Sequence, residues 1–247
     1  LARLVIPTRL PMQGPYPSFA TAMAAATGYD APVVAEQVEE ATRAVLEGRA
    51  IYERDGTAFT TRPDLPIHAA LAPLVGPSST IADFGGGLGG LFINAPELFP
   101  PGCLRLVLEQ ATMVEAGRRM AAAFGLPIEF LDAERDPWPR VDVLILSGVL
   151  QYLPDPWGTL ARLLEHCHPR AVIVDRTAVR RGPGRWSVQT NPGYYARTVT
   201  YPIQVLDRER LKRSFPGYRL AREWHNSFDA QRPEHIGLLF IRDGESA

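Results

Sequence analysis

The stretch Ile81-Ala82-Asp83-Phe84-Gly85-Gly86-Gly87-Leu88-Gly89-Gly90 decides how this chain folds. Ser79-Thr80-Ile81-Ala82 reads as the opening of a buried strand, Asp83 closes it, and the glycines follow at once. Glycine lets the backbone turn sharply and lets a ligand lie directly against the main chain. A helix from Leu88 to about Ala95 comes next. Strand, glycine turn and helix in that order build the first nucleotide crevice of a doubly wound α/β domain. Asp83, two residues before Gly85, puts a carboxylate at the carboxyl end of the strand, facing that crevice. A pyrophosphate would be repelled there, whereas a sulfonium or an ammonium group would be attracted.

Outward from the turn, strand and helix patterns alternate. Strands are predicted over 79–84, 104–109, 128–131, 141–147 and 170–175, with helices at about 88–95, 112–124 and 156–166 between them. Such alternation implies a parallel sheet. Thr112-Met113-Val114-Glu115 has the form of a capping box, and Gly125 ends that helix. Asp155, within Pro154-Asp155-Pro156, is placed to cap the following one. After a helix near 207–214, strands over 218–225 and 235–242, joined by Asp229 to Pro233, imply an antiparallel edge on the parallel sheet. The expected fold is α/β, a doubly wound Rossmann-like sheet of seven strands.

Residues 1–77 read differently. Pro7, Pro11, Pro15 and Pro17 predict an irregular opening. Ala31 to Gly48 predicts an amphipathic helix, with Val34, Val38, Ala41 and Val45 at spacings of four, three and four. A short helix from Leu65 to Leu74 follows, ended by Gly76-Pro77. This segment is expected to be an N-terminal helical cap, with 78–247 as the ligand-binding catalytic domain.

Composition narrows the function classes. A chain of 247 residues, 46% hydrophobic, can bury a full core. A net charge of −1 gives no bulk attraction to nucleic acid. Cys103 and Cys167 alone make no disulfide framework and fit a reducing compartment. In His166-Cys167-His168 neighbouring side chains point in different directions, so no metal site is expected. No stretch approaches the roughly 18 apolar residues of a membrane span, and no signal-peptide pattern is read. The expectation is a cytoplasmic protein with neither membrane nor nucleic-acid partner. Lys212 is the only lysine and lies on a charged helix face, which argues against lysine chemistry.

Gly85, Gly87 and Gly90 satisfy the dinucleotide spacing G-x-G-x-x-G, which alone is a weak signal. Dinucleotide sites carry an apolar residue where this chain has Asp83, because the helix N-terminus must meet phosphate. An acid followed by G-G-G-x-G resembles the first motif of class I S-adenosylmethionine (SAM) methyltransferases. SAM is therefore favoured over NAD, and a glycine turn without a ligand is the remaining reading. Asp83, Gly85, Gly86, Gly87 and Gly89 are the candidate residues of that turn. Glu109 ends the second strand about twenty residues further on, where a carboxylate accepts two hydrogen bonds from a ribose diol. Gln110 beside it can assist. Asp132 ends the third strand, placed to accept from an adenine amine while the adjacent N–H of Ala133 meets a ring nitrogen; Glu134 and Asp136 are alternatives. Ser147 ends the fourth strand at the switch point, and Gln151 and Tyr152 can face the cavity.

Beyond Asp175-Arg176-Thr177, a tract holding Trp186, Gln189, Asn191, Tyr194, Tyr195, Tyr201 and Gln204 shows no clear periodicity. It predicts a long loop closing over substrate. Some of its aromatics would face a sulfonium and others would pack the lid. No histidine among His68, His166, His168, His225 and His235 holds a motif position, so a base would be a tyrosine or an aspartate of the lid; the candidate catalytic side chains are Ser147, Tyr152, Tyr194 and Tyr195.

Segments along nearly the whole chain resemble one branch of class I methyltransferases known mainly from genome sequences. They are Gly14-Pro15-Tyr16-Pro17-Ser18, Gly28-Tyr29-Asp30, Tyr52-Glu53-Arg54-Asp55, Asp83 to Gly89, Glu109-Gln110, Leu146 to Leu153, Asp175-Arg176-Thr177 and Tyr201-Pro202. The resemblance implies a methyltransferase-type sheet and a SAM site built from Asp83, Gly85, Gly87, Glu109, Asp132 and Ser147. It implies transfer of the sulfonium methyl to a small molecule. Some proteins similar to this branch instead take SAM itself as substrate. In them the α-amine attacks Cγ, closing azetidine-2-carboxylate and expelling 5′-methylthioadenosine. The lid aromatics suit either reaction.

Overall fold

The computed structural model describes residues 11–27, 31–191, 199–226 and 232–245. In chain order the elements are β1 (Met12–Tyr16), α1 (Phe19–Ala24), α2 (Ala31–Leu46), β2 (Tyr52–Arg54), β3 (Thr57–Phe59) and α3 (Pro66–Leu71). Then come β4 (Thr80–Phe84), α4 (Gly90–Asn94), β5 (Leu104–Glu109), α5 (Ala111–Phe124), β6 (Glu129–Asp132), β7 (Val143–Ser147) and α6 (Pro156–Cys167). The chain finishes with β8 (Ala171–Arg180), β9 (Arg185–Asn191), β10 (Val199–Asp207), α7 (Arg208–Arg213), β11 (Tyr218–His225) and β12 (Glu234–Arg242).

Seven of these strands form the expected doubly wound sheet. β6, β5, β4, β7 and β8 are parallel neighbours in that order. β12 then pairs antiparallel with β8, and β11 antiparallel with β12. Alternation along the strands sends side chains to two cores. Ala82, Leu106, Leu144 and Val172 face one side, where Leu160 and Leu163 of α6 pack. Ile81, Val107, Ile145 and Ile173 face the other, against Ile67 and Leu71 of α3.

The structure corrects the sequence reading in three places. The tract beyond the fifth strand is not one long loop: β8 runs on to Arg180, and β9 and β10 form an antiparallel pair joined to its end. Trp186-Ser187-Val188-Gln189 does alternate apolar and polar as a strand does, but the run is short and its polar members are buried along with the apolar ones, so it does not stand out from the tract around it. Pro202 argues against a strand, but β10 meets β8 only at Leu206 and Asp207, leaving the level of Pro202 without a second ladder. The opening is not irregular over Met12–Tyr16, which extends this part of the sheet by pairing antiparallel with β9, giving ten strands in all. Finally, α5 starts at Ala111 with Gln110 as its N-cap, so Thr112 caps nothing. Gly125 does close that helix, and Asp155 caps α6 by accepting from the Gly158 N–H at 2.9 Å.

Candidate active site

β4 lies between β5 and β7, and the chain leaves it first toward β5 and later returns on the β7 side. That reversal opens a crevice at the carboxyl ends of the strands. The turn over it is pinned by the Gly85 N–H donating to the Leu108 carbonyl at 2.8 Å. Gly85, Gly87 and Gly89 have φ of 75°, 58° and 81°. A side chain at Gly85 would also start 2.5 Å from Val149 Cγ2, and one at Gly86 2.6 Å from Asp83 Oδ2. Asp83 is 3% exposed, and its Oδ1 has no hydrogen-bond partner among the described residues. Burial, and after it the charge of Glu109, push the Asp83 carboxyl up to about 7, with the Arg176 charge pulling the other way.

One strand over, Glu109 is half-buried and its carboxylate accepts from the backbone N–H of the exposed Gln110. Burial raises Glu109 to about 7 despite that hydrogen bond. Asp132 pairs in register with Glu109 and is buried, with Oδ1 accepting from the Glu134 N–H at 2.9 Å. The Ala133 N–H donates to the Glu109 carbonyl at 2.9 Å, so this donor is engaged in the strand ladder and not offered to a ring nitrogen. Glu134 is exposed, and Asp136 accepts from the Asp132 N–H at 2.8 Å, so Asp136 supports the turn.

Ser147 is half-buried at the end of β7, in register with Asp175. A 3-10 turn, Leu150–Tyr152, follows. In it Gln151 is 2% exposed and donates to the Arg176 carbonyl at 3.0 Å. The Tyr152 hydroxyl donates to Gln189 Oε1 at 3.3 Å, and Gln189 Nε2 donates to the Tyr201 hydroxyl at 3.0 Å. The Tyr152 and Tyr201 rings meet edge to face, with centroids 5.4 Å apart. Two members of the aromatic tract are thus brought to the candidate residue Tyr152. Trp186 packs instead against Phe19 of α1. Tyr194 and Tyr195 lie outside the described residues.

Sequence reasoning gave no site role to the β2–β3 hairpin. Glu53 is buried, accepts from the Gly56 N–H at 3.0 Å, and is pushed by burial up to about 7 against that hydrogen bond. Its backbone is clasped to Asn94 of α4 by bonds of 3.0 and 2.8 Å. Its Oε2 lies 3.1 Å from where a side chain at Gly90 would begin, so the hairpin sits directly against the start of α4. At the hairpin tip Asp55 accepts from Arg176 Nη2 at 3.0 Å and lies 3.4 Å from Arg54 Nε. Against desolvation, the Arg176 and Arg54 charges hold the Asp55 carboxyl below its ordinary value. No spacing rule links residues 121 apart in sequence, so this pair had no signal beyond the quoted segments.

Among the described residues, no group of three or more His, Cys, Asp or Glu side chains could hold a metal, and no helix is long and apolar enough to cross a membrane. Cys167 points into the core while His166 and His168 are exposed. Burial pushes the Cys167 thiol up to about 11.

No family model matches the chain, and no curated protein matches it in sequence. Solved structures do resemble it. The CcbJ methyltransferase from Streptomyces caelestis aligns with a TM-score of 0.53 at 15% identity, over 87% of this chain and 99% of that one. The 1,6-didemethyltoxoflavin-N1-methyltransferase of Burkholderia thailandensis, with bound 1,6-didemethyltoxoflavin and S-adenosylhomocysteine, aligns with a TM-score of 0.51 at 15% identity, over 94% and 93% of the two chains. The glycopeptide N-methyltransferase MtfA, complexed with S-adenosylhomocysteine, aligns with a TM-score of 0.50 at 16% identity, over 71% and 86%. The fold is therefore that of the Rossmann-like class I methyltransferases.

Proposed function

We propose that the protein is a SAM-dependent methyltransferase acting on a small molecule, and that residues 1–77 form a cap over the SAM-binding part, 78–247. The observation that carries this reading is the buried Asp83 carboxylate beneath the glycine turn, one oxygen of which has no partner among the described residues. A buried carboxylate without a partner is costly. A cationic ligand against Gly85, Gly86, Gly87 and Gly89 removes that cost, and a phosphate would add to it. Glu109, with Gln110, is assigned to the ribose hydroxyls, Asp132 to the adenine amine, and Ser147 to the methionine end.

SAM brings an already activated methyl, open to in-line displacement at the carbon on sulfur. The chain's own contribution is then to bind, orient and exclude water. Tyr152, held by Gln189 beside Tyr201, is assigned to face the sulfonium or, as the phenolate, to take a proton from the acceptor. Tyr194 and Tyr195 remain candidates for the same roles.

Incubation of the protein with SAM and no acceptor, followed by mass spectrometry, tests the reading. Intact SAM, followed by S-adenosylhomocysteine once acceptors are supplied, supports methyl transfer. Accumulation of methylthioadenosine with azetidine-2-carboxylate would replace it by ring closure of SAM itself. There the α-nitrogen bonds Cγ, the Cγ–S pair leaves with sulfur, and the amine proton is lost to a base or solvent.

A further inference from the structure

The proposed chemistry gives no role to two segments that the structure brings together, Tyr52-Glu53-Arg54-Asp55 and Asp175-Arg176-Thr177. Asp175 and Thr177 are accounted for by packing. Both are buried; Asp175 accepts from Trp224 Nε1 at 2.9 Å, and the Thr177 hydroxyl donates to the Asp175 carbonyl at 3.1 Å. Arg176 is different. Thr177 pairs with Ile236 and Val174 with Leu238, so Asp175 and Arg176 together oppose the single Gly237. This is a β-bulge, the device by which a strand re-aims a side chain, and it recurs beside active sites. Arg176 takes the left-handed backbone, φ 50°, which a non-glycine residue adopts at a cost and keeps where the surroundings enforce it.

The bulge aims Arg176 at the crevice. Its guanidinium carbon lies 3.8 Å from where a side chain at Gly148 would begin, next to Ser147 at the end of β7. Its Nη2 is held by Asp55, and its carbonyl by Gln151. Its positive charge reaches Asp83 beneath the glycine turn. SAM carries two cations, the sulfonium and the α-ammonium, and one anion, the carboxylate of its methionine end. Asp83 answers a cation. The carboxylate requires a fixed cation, and a guanidinium fits one through two parallel N–H bonds.

We infer that Arg176 binds the carboxylate at the methionine end of SAM, with Asp55 fixing the guanidinium in place. The inference rests on the SAM reading above and adds a residue from β8 and a positioning residue from the hairpin. It also gives the hairpin a function, as the wall that holds the cofactor's amino-acid end.

Binding calorimetry with three probes tests it: SAM, decarboxylated SAM (the same sulfonium and amine without the carboxylate) and methylthioadenosine. The unaltered protein is expected to bind SAM at least about 10-fold more tightly than decarboxylated SAM, the scale of a charged hydrogen bond. Arg176→Gln should weaken SAM by roughly 10- to 100-fold and leave the other two probes unchanged, with Arg176→Lys recovering part of the loss. Equal affinity of the unaltered protein for SAM and decarboxylated SAM would overturn the inference without any variant. So would an Arg176→Gln loss shared by all three probes, which would make the residue a brace for the hairpin. Failure of the unaltered protein to bind any probe would overturn the SAM reading itself, and the carboxylate assignment with it.

Discussion

At the scale of single residues, selectivity in the proposed reading rests on Asp83 and Glu109, and burial pushes both carboxyls up to about 7. If Glu109 accepts the ribose hydroxyls, Glu109→Ala should weaken SAM by about 1.5–3 kcal/mol, the range for hydrogen bonds to a charged group. Unchanged affinity in a calorimetric titration would remove it from the site. The same two groups set a pH dependence. A diol and a cation prefer the ionised carboxylates, so binding SAM lowers both carboxyl values and expels protons. Affinity should rise as pH passes from 6 to 8, and heats in buffers of different ionisation enthalpy should report net proton release. Asp83→Asn should reduce both affinity and proton release. A variant that binds SAM as tightly as the parent would revive the dinucleotide reading of the glycine turn.

At the scale of elements, the bulge in β8 depends on β12. A side chain at Gly237 would begin 1.9 Å from the Trp224 ring, the ring whose Nε1 bonds Asp175. Gly237→Ala must therefore displace Trp224 and loosen Asp175 and Arg176. Overpacking of this kind costs about 1–3 kcal/mol, readable as a lowered denaturation midpoint. SAM affinity should fall more than Asp155→Ala would make it fall, since that change removes only the α6 cap, worth about 1 kcal/mol. Equal SAM affinity in the two variants would show that the bulge and the crevice are uncoupled. The elements that position the turn were legible in sequence because β4, β5 and β7 are near-continuous apolar runs between clear helix patterns. β9 and β10 were less so: Trp186 and Val188, then Tyr201, Ile203 and Val205, fall at alternate positions, but the run in β9 is short and Pro202 interrupts that in β10. Asp83 and Glu109 were legible from their distance to the glycines. Arg176 was not, because a bulge is set by how two strands count against each other and not by either sequence alone.

At the scale of the whole molecule, the crevice weakens the fold it is built on. Glu53, Asp83 and Glu109 keep their protons in the folded state up to about pH 7, whereas the unfolded chain releases them near 4. Between those values the unfolded state binds fewer protons, so stability falls as pH rises from about 4 to about 7. Asp55, and Glu97 through its hydrogen bond from Arg62, are shifted downward and work in the opposite sense, losing their contribution as pH drops below about 4. Stability should thus peak on the acid side of neutrality and decline toward pH 8. Glu53 and Asp83 are the most enclosed of the three, so they should dominate the decline, and Asp83→Asn should flatten it. SAM should act in the reverse direction. A ligand that binds only the folded state stabilises it by mass action, and one that prefers ionised Asp83 and Glu109 stabilises most where the free protein is weakest. Thermal melts from pH 5 to 8 should therefore show the SAM-induced rise in Tm growing with pH. A rise independent of pH would mean that the ligand meets neither carboxylate, and the site would then have to be sought away from the glycine turn.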